Sequence, residues 1–580
     1  MFGSFFIFCS ILHFLFDKNR DITYKFKYFS TLFNCILNKS VGEKAMKKCF
    51  IYMTLCIAVC ALSGPAVSAR GQEIDNNTLK ETLRITDNTV SLPLQSVLVL
   101  ALKNNLDITF EKLSPEFAQT EVTKEEGAYD FLFSSQFTKS RENTQVGNAL
   151  AGSGSSADMF NENFNFDATL QKKFTPGTQA ELKLSNQEYQ SNLSFMGLNP
   201  EYSANLVLSL QQPLLRDFGI EIGKSLIKIA SLKLESSENY LRKRVMDILF
   251  QVESLYWDLS YRIHDLKSKE KSLRRAEDLL REFKIRIDAG TLAPIEIHQA
   301  EAEVALRRQD VIVAESAVTA GEDNLKAALN LYEDETYWNI AIVPSDTPYS
   351  SKTAPDLAAC IQTAFKERPD FRQAKLDLQA AHIQVKYSKN QTLPRIDLIG
   401  SIGTSGLGGR PQDTSGAFGA FFFAEPSPWD GHWDRVYDGI ADDDYYSYSI
   451  GIKIEFPLQN RIAKSYHAKA KVQASQSVTN LKNAENLIIN DVRDAIRNVE
   501  TSMKVIDSAM ASMKLAQEKL KAEEKKYKVG MSTAHDVLEF QEDLAKAEST
   551  LAYAQAEHSK SLANLARAQG VLLQVKGLSL

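Results

Sequence analysis

The residues best suited to chemistry do not converge on a reaction. Gly219-Ile220-Glu221-Ile222-Gly223-Lys224-Ser225 looks like a phosphate-binding loop, but three residues separate its glycines where that motif has four, and Phe218 stands where the first glycine belongs. The two glycines are better suited to bending a strand into a helix. No two histidines stand at metal-ligand spacing, and no Gly-x-Ser-x-Gly elbow presents a nucleophilic serine. Met503, Met510 and Met513 hint at soft-metal traffic but fit core packing better. Asp442-Asp443-Asp444 offers oxygen ligands for calcium, yet such a run is more simply a solvated loop. Five of the six cysteines fall in the first 60 residues, leaving Cys360 alone. A lone thiol makes neither an internal disulfide nor a cysteine-based metal cage, and its helical setting suits a small buried apolar side chain. The chain is therefore not expected to be an enzyme or to hold a cofactor or metal.

These residues sit in a chain with an export signal. Met46-Lys47-Lys48 opens a basic region, residues 49–62 are apolar and nearly uncharged, Gly64-Pro65 breaks the run, and Val67-Ser68-Ala69 offers small residues for cleavage. Residues 46–69 thus form a secretory signal peptide. Residues 1–45, ahead of a complete signal, read as an upstream extension from a misassigned start codon. Ile57-Ala58-Val59-Cys60 is a poor lipoprotein cleavage box, because Val59 is bulky. The 580 residues carry 67 basic and 73 acidic groups, a net charge of −6; residues 1–69 hold 8 basic and 3 acidic, so the remainder carries 59 and 70, a net of −11. That acidic balance argues against nucleic acid as a partner. Beyond residue 69 no stretch has the roughly 18 consecutive apolar residues of a membrane helix. A membrane-spanning part must then be a β-barrel.

The elements that would position these groups are very long helices alternating with short strands. Val245, Ile248, Val252, Leu255, Leu259, Ile263 and Leu266 recur in steps of three and four, and the seam continues to Ile287. A helix over about 224–289 would be on the order of 100 Å long. The seam resumes after Gly290 and ends near residue 330. A second pair of seams flanks Gly530, so two long hairpins are predicted, over about 224–330 and 461–570, each with a glycine at its tip. Before each hairpin the period changes to two. Residues 446–456 alternate aromatic or aliphatic with small or charged, the pattern of a strand with one lipid face and one wet face. Weaker copies occupy 131–138, 164–174, 179–185, 205–210 and 395–402, and the stretches 142–158 and 403–444 read as exposed loops.

The chain also repeats itself. Ala101-Leu102-Lys103-Asn104-Asn105-Leu106-Asp107 lines up with Ala364-Phe365-Lys366-Glu367-Arg368-Pro369-Asp370, Gln212-Pro213-Leu214 with Phe456-Pro457-Leu458, and Ala289-Gly290-Thr291 with Val529-Gly530-Met531. Two repeats are expected, 70–340 with strands over about 131–212 and 341–580 with strands over about 395–456.

The arrangement resembles the TolC-like outer-membrane factors. The likeness is carried by Ala-Leu-x-x-Asn-x-x-Ile at Ala101 to Ile108, by Gln212-Pro213-Leu214-Leu215-Arg216, and by Tyr527-Lys528-Val529-Gly530 followed by Asp536-Val537-Leu538. It covers nearly all of residues 90–570. The implied fold is mainly α with β: a homotrimeric outer-membrane β-barrel of four strands per subunit, continuous with a long periplasmic α-helical barrel; the candidate hairpin 164–185 exceeds that number, and either extends above the membrane or adds to the barrel. The implied function is the passive exit duct of a tripartite efflux or type I secretion system, embedded in outer-membrane lipid and coupled to a periplasmic adaptor and an inner-membrane transporter. By the same resemblance Asp536, Glu539, Tyr527 and Glu296 would close the duct, and Gly290, Thr291, Val529 and Gly530 would meet the adaptor. Asp536 and Glu539, three apart, share a helix face. Ser532 stands where some members have an arginine, so a locking bond there is missing or falls to Lys525, Lys526 or Lys528. The strands alone demand oligomerisation, because four to six cannot close a barrel whose smallest form has about eight. The competing reading, a periplasmic adaptor or coiled-coil scaffold, fits poorly with two full hairpins and lipid-type strands.

Overall fold

The structure, a computed structural model, describes residues 85–86, 89–145, 158–193, 196–289, 295–333, 335–348, 355–412, 427–442, 445–529 and 531–579. The expected upstream extension and signal peptide lie outside the described residues.

A small sheet comes first. Strands β1 (Ile85–Thr86) and β2 (Thr89–Leu92) are antiparallel, and β2 pairs in parallel with a later strand, β7 (Ala341–Pro344). Helices α1 (Leu94–Asn104) and α2 (Leu106–Gly127) follow. Strands β3 (Phe131–Gln145), β4 (Asp158–Lys173), β5 (Gln179–Ser191) and β6 (Leu198–Pro213) lead through α3 (Ile220–Gly223) into α4 (Ser225–Asp288) and α5 (Glu296–Ala328). After β7 come α6 (Leu357–Glu367), α7 (Pro369–Asn390), β8 (Arg395–Pro411), α8 (Trp433–Ala441), β9 (Tyr446–Glu455), α9 (Arg461–Lys528), α10 (Ala534–Ala568) and α11 (Leu572–Val575).

Six strands form one antiparallel sheet in the order β3-β4-β5-β6-β8-β9. Its register sorts side chains by face. Phe133, Leu170, Leu182, Leu208, Ile402 and Tyr448 make one row across all six strands. In the next row Leu132 is followed by Gln171, Glu181, Ser209, Ser401 and Ser449. Alternate residues of a strand point to opposite faces, so one face is apolar and the other polar. The edge strand β9 bares its apolar set, with Tyr448 and Ile450 more than three-quarters exposed.

The glycine-rich stretch after residue 402, read from sequence as loop, is strand as far as Pro411. The glycines admit a neighbour. A Cβ on Gly406 would lie 1.9 Å from the carbonyl oxygen of Val436, so α8 can rest on the sheet only where no side chain intervenes. Tyr202, Ala204 and Val436 form the small core under it.

The helices form four columns. Helix α4, 64 residues, touches α2 and α5 on one side and α7 and α10 on the other; α9, 68 residues, touches α7 and α10. At 1.5 Å per residue the two long helices are each about 100 Å in length. The intervening columns are assembled end to end from shorter helices. In the first, the Asn105 amide donates to the carbonyl of Ala328, the last residue of α5, at 2.8 Å. In the other, Arg368 reaches the carbonyl of Ala568, the last residue of α10, at 3.3 Å, while pairing with Asp370 at 2.6 Å and Asp491 at 3.1 Å. Each of α5 and α10 is closed two residues later by a left-handed residue, Asn330 (φ 52°) and Gly570 (φ 77°). Near the small sheet the core is built on fully buried Tyr256, whose hydroxyl donates to the carbonyl of Leu92 at 3.0 Å and whose pKa is pushed up to about 12 by burial. Cys360 is buried beside Ala364, Phe371 and Ile488.

Gly570 is the most constrained of these closures, because a Cβ there would stand 2.9 Å from the Cα of Arg368. Gly570→Ala is expected to cost at least about 1–2 kcal/mol from the left-handed backbone alone and to lower the melting temperature measured by circular dichroism in detergent. Gly577→Ala, also at positive φ but facing open space, should cost less.

Candidate functional site: the hairpin tips

At the end of the helical layer away from the sheet, α4 and α9 stop at Asp288 and Lys528, and α5 and α10 begin at Glu296 and Ala534. Gly290, Thr291 and Gly530 lie outside the described residues. Glu296 is the first residue of α5.

The two tips are joined by an apolar cluster that includes Leu279, Phe283, Val304, Leu520, Tyr527, Val537 and Leu538. Tyr527 is buried in it, its ring 6.5 Å from that of Phe283 and inclined to it by 30°. The guanidinium of Arg286 lies 4.8 Å from the centre of the Tyr527 ring. Such a cation–π contact is worth about 0.5–1 kcal/mol or more when shielded from water. Tyr527 therefore fastens α9 to α4 and is placed between hairpins.

Asp536 has a local task. The Thr533 hydroxyl accepts from the Asp536 N–H at 3.3 Å, and Asp536 Oδ2 accepts from the Thr533 N–H at 3.1 Å and from its hydroxyl at 2.6 Å. This capping box satisfies donors that the start of α10 would leave orphaned. Ser532 donates to the same oxygen at 3.4 Å. The bonds from Thr533, first its hydroxyl and then its N–H, hold the Asp536 carboxyl below its ordinary value. Glu523, on the last turns of α9, is held low by a hydrogen bond from Ser532 and by Lys526 at 2.9 Å. The single Ser532 hydroxyl proton serves one of these carboxylates at a time, and Lys526 supplies the neutralising charge beside Glu523. Glu539 is exposed one turn beyond Asp536, and Val529 is 69% exposed at the end of α9.

The structure brings Tyr527 and Asp536 to one tip, Tyr527 inside it and Asp536 at its rim. Arg286, over the Tyr527 ring, and Glu523, paired with Lys526, stand at the same tip and were not picked out from the sequence, where Phe283 is only a position of the helical seam. Thr533 and Asp536 did carry a signal, the Thr-x-x-acid spacing of a capping box. Met503 and Met513 pack against separate cores and Met510 is half exposed, so the three side chains are not brought together. Among the described residues no three His, Cys, Asp or Glu side chains could hold a metal. Asp442 follows α8, and Asp443 and Asp444 lie outside the described residues.

A six-stranded sheet with one apolar face, set on helices of about 100 Å, defines a class of elongated proteins in which one sheet continues into long helical columns. A sequence model of the family described as outer membrane efflux protein matches residues 170–331 and 360–571, and the chain belongs to that family. It is 21% identical over 347 residues to the outer membrane protein TolC of Vibrio cholerae, covering 59% of this chain and 72% of that one. It is 24% identical over 289 residues to the outer membrane protein TolC of Escherichia coli, covering 50% and 54%. Among solved structures it is similar to the CmeC outer membrane channel of Campylobacter jejuni, with a TM-score of 0.59, 15% identity and coverage of 84% of this chain and 86% of that one. The outer-membrane channel OprN gives a TM-score of 0.58 at 15% identity, covering 84% and 96%. These two likenesses concern the fold.

Thr533→Ala removes the cap and is expected to weaken the first turn of α10 by about 1 kcal/mol, read as faster amide exchange over residues 533–540. Because the Asp536 carboxyl is held below the ordinary 3.8, its contribution to the tip is present above that value and is lost as pH falls through the lowered one. Exchange in the wild-type tip should quicken only in that acid range, and in Thr533→Ala, which keeps the backbone N–H bond but loses the hydroxyl, the acid-dependent step should shrink.

Proposed function

We propose that three copies of this chain assemble into a duct that carries substrates passively across the outer membrane of a Gram-negative cell. The sheets supply a barrel in the lipid, and the helical columns supply a tunnel through the periplasm. The observation that carries this reading is the unbroken passage from β6 and β9, each with an apolar face, into α4 and α9 of about 100 Å. Edge features support closure by further copies. On α2, Leu106, Phe110, Leu113 and Phe117 are 55–70% exposed and fall on one helical face. This stripe lies on the outermost column, where a neighbouring subunit's α9 would cover it.

The two repeats, 70–340 and 341–580, give the duct its paired hairpins, and the matching junctions at Asn105 and Arg368 support that division. The hairpin tips, with Val529 and the tip residues 290, 291 and 530, meet a periplasmic adaptor, and an inner-membrane transporter supplies the energy. Glu539 and Asp536 ring the closed end and Glu296 adds a third carboxylate, while Tyr527 and Arg286 hold the hairpins in the closed packing. Carboxylate rings favour cations.

Two measurements test the duct. The protein should fractionate with outer membranes as a detergent-requiring trimer, and a soluble monomer would overturn the reading. In planar bilayers the double variant Asp536→Ala/Glu539→Ala should raise single-channel conductance and weaken cation preference. Glu539→Gln alone, which spares the cap, should weaken selectivity with a smaller change in conductance. Unchanged conductance and selectivity in the double variant would remove these carboxylates from the gate.

A further inference from the structure

Resemblance implies four strands per subunit, and this chain has six in one sheet. We propose that the additional hairpin, β4 and β5, lies in the bilayer with the other four strands, so that each subunit contributes six strands to the membrane wall and three subunits enclose an eighteen-stranded pore. The proposal rests on the duct reading.

Were the hairpin raised above the membrane, both of its faces would meet water and its apolar residues would need no alignment with those of its neighbours. Instead, on the face that carries Leu208 and Ile402, β4 presents Phe164, Phe166, Ala168 and Leu170 in succession, and β5 presents Ala180, Leu182 and Leu184. Above Leu184 the same face of β5 turns polar at Asn186 and Glu188, and α8 covers it at Tyr202, Ala204 and Gly406, so the bare apolar band lies below α8. The opposite face of β4 carries Asn163, Asn165, Asp167, Thr169 and Gln171. Charges bound the apolar run at both ends. Lys172 sits 4.0 Å over the ring of Phe131, and at the other end Phe164 stands in a row between Lys139 and Glu188, with Glu162 pairing with Lys139 at 2.5 Å and Arg141 at 3.7 Å. Eight residue steps separate Lys172 from that row, about 26 Å along a strand. Tilted by about 35–45°, that distance rises about 19–22 Å, a few Å short of the apolar band of an outer-membrane barrel, about 25 Å.

The seat of the hairpin's turn points the same way. Its residues 174–178 touch the point where β6 hands over to α3. Gly219 N–H donates to the Pro176 carbonyl at 3.1 Å. Gly223 approaches Thr175 so closely that a Cβ would fall 1.9 Å from the Thr175 carbonyl oxygen. The lower end of the hairpin is thereby held at the level where the other strands enter the helices. Insertion of two strands also leaves β3 and β9 antiparallel to each other, so closure between subunits proceeds as it would without them.

Single cysteines in a Cys360→Ala background test the placement in outer-membrane vesicles, using a charged, membrane-impermeant maleimide and, in parallel, a nitroxide label read for collision with oxygen. Leu170→Cys and Leu182→Cys should react at least tenfold more slowly than Thr169→Cys and Lys183→Cys, and their nitroxides should be the more oxygen-accessible. Equal reaction at all four would place the hairpin in water and overturn the six-strand wall. Ile450→Cys and Ser449→Cys on β9 separate this from the parent reading: alternation there without alternation on β4 and β5 leaves a four-strand duct, and no alternation on β9 removes the duct as well. Trimers on unheated gels establish that each variant has folded, and Leu184→Cys replaces any lipid-face variant that has not.

Discussion

A peptide group left unpaired in hydrocarbon costs several kcal/mol, and a six-stranded sheet carries a row of such groups along each outer edge. Here the edges are β3 and β9. The chain has no further described strand to cover either, and six strands are too few to curl into a closed barrel. In the proposed duct the remedy is another copy of the same chain. Because β3 and β9 run in opposite directions, the last strand of one subunit can pair antiparallel with the first strand of the next. The helical layer then inherits the same closure. Its outermost columns are the α2–α5 stack and α9, and the apolar stripe on α2 is the helical counterpart of the bare edge on β3.

What the helical layer must do is hold four columns parallel although two of them are broken. Continuity is restored at each break by a side chain from the start of one helix bonding to the carbonyl end of the other, Asn105 to Ala328 and Arg368 to Ala568. The solutions differ chemically. Asn105 also caps α2 by accepting from the Ile108 N–H. Arg368 is buried and is neutralised by Asp370 and Asp491, and it leaves so little room that Gly570 alone fits opposite its backbone. An amide can be satisfied by backbone partners, whereas a buried guanidinium requires carboxylates beside it.

Much of this was legible in the sequence because long helices and strands with one apolar face each carry a period that repeats often enough to be read. The seam from Val245 to Ile287 marks α4, and Tyr446 to Ile454 marks β9. The glycines after residue 402 misled, since loop and close-packed strand look alike until the helix that needs the space is seen. At the tips the residue types were legible and their environments were not. Tyr527 lies inside a cluster with Phe283 and Arg286, which stand more than 200 residues away in sequence. No periodicity encodes a contact between two hairpins. The spacing of Thr533 and Asp536 was local, and it is the part of the site that sequence alone could have drawn.

In the proposed duct the strand number bears on how the membrane part meets the helical part. Strands about 4.8 Å apart and tilted by about 40° each take up roughly 6 Å of circumference. Four of them span about 25 Å, and six span about 38 Å. Four helical columns 8–10 Å apart span about 32–40 Å. A subunit with six strands therefore has nearly equal arcs above and below the junction, whereas one with four must splay its strands or gather its helices where the two meet. In this chain the match is made at the turn 174–178, which sits against Gly219 and Gly223 beside the head of α4. The added hairpin thus fills the width that the helical columns already set.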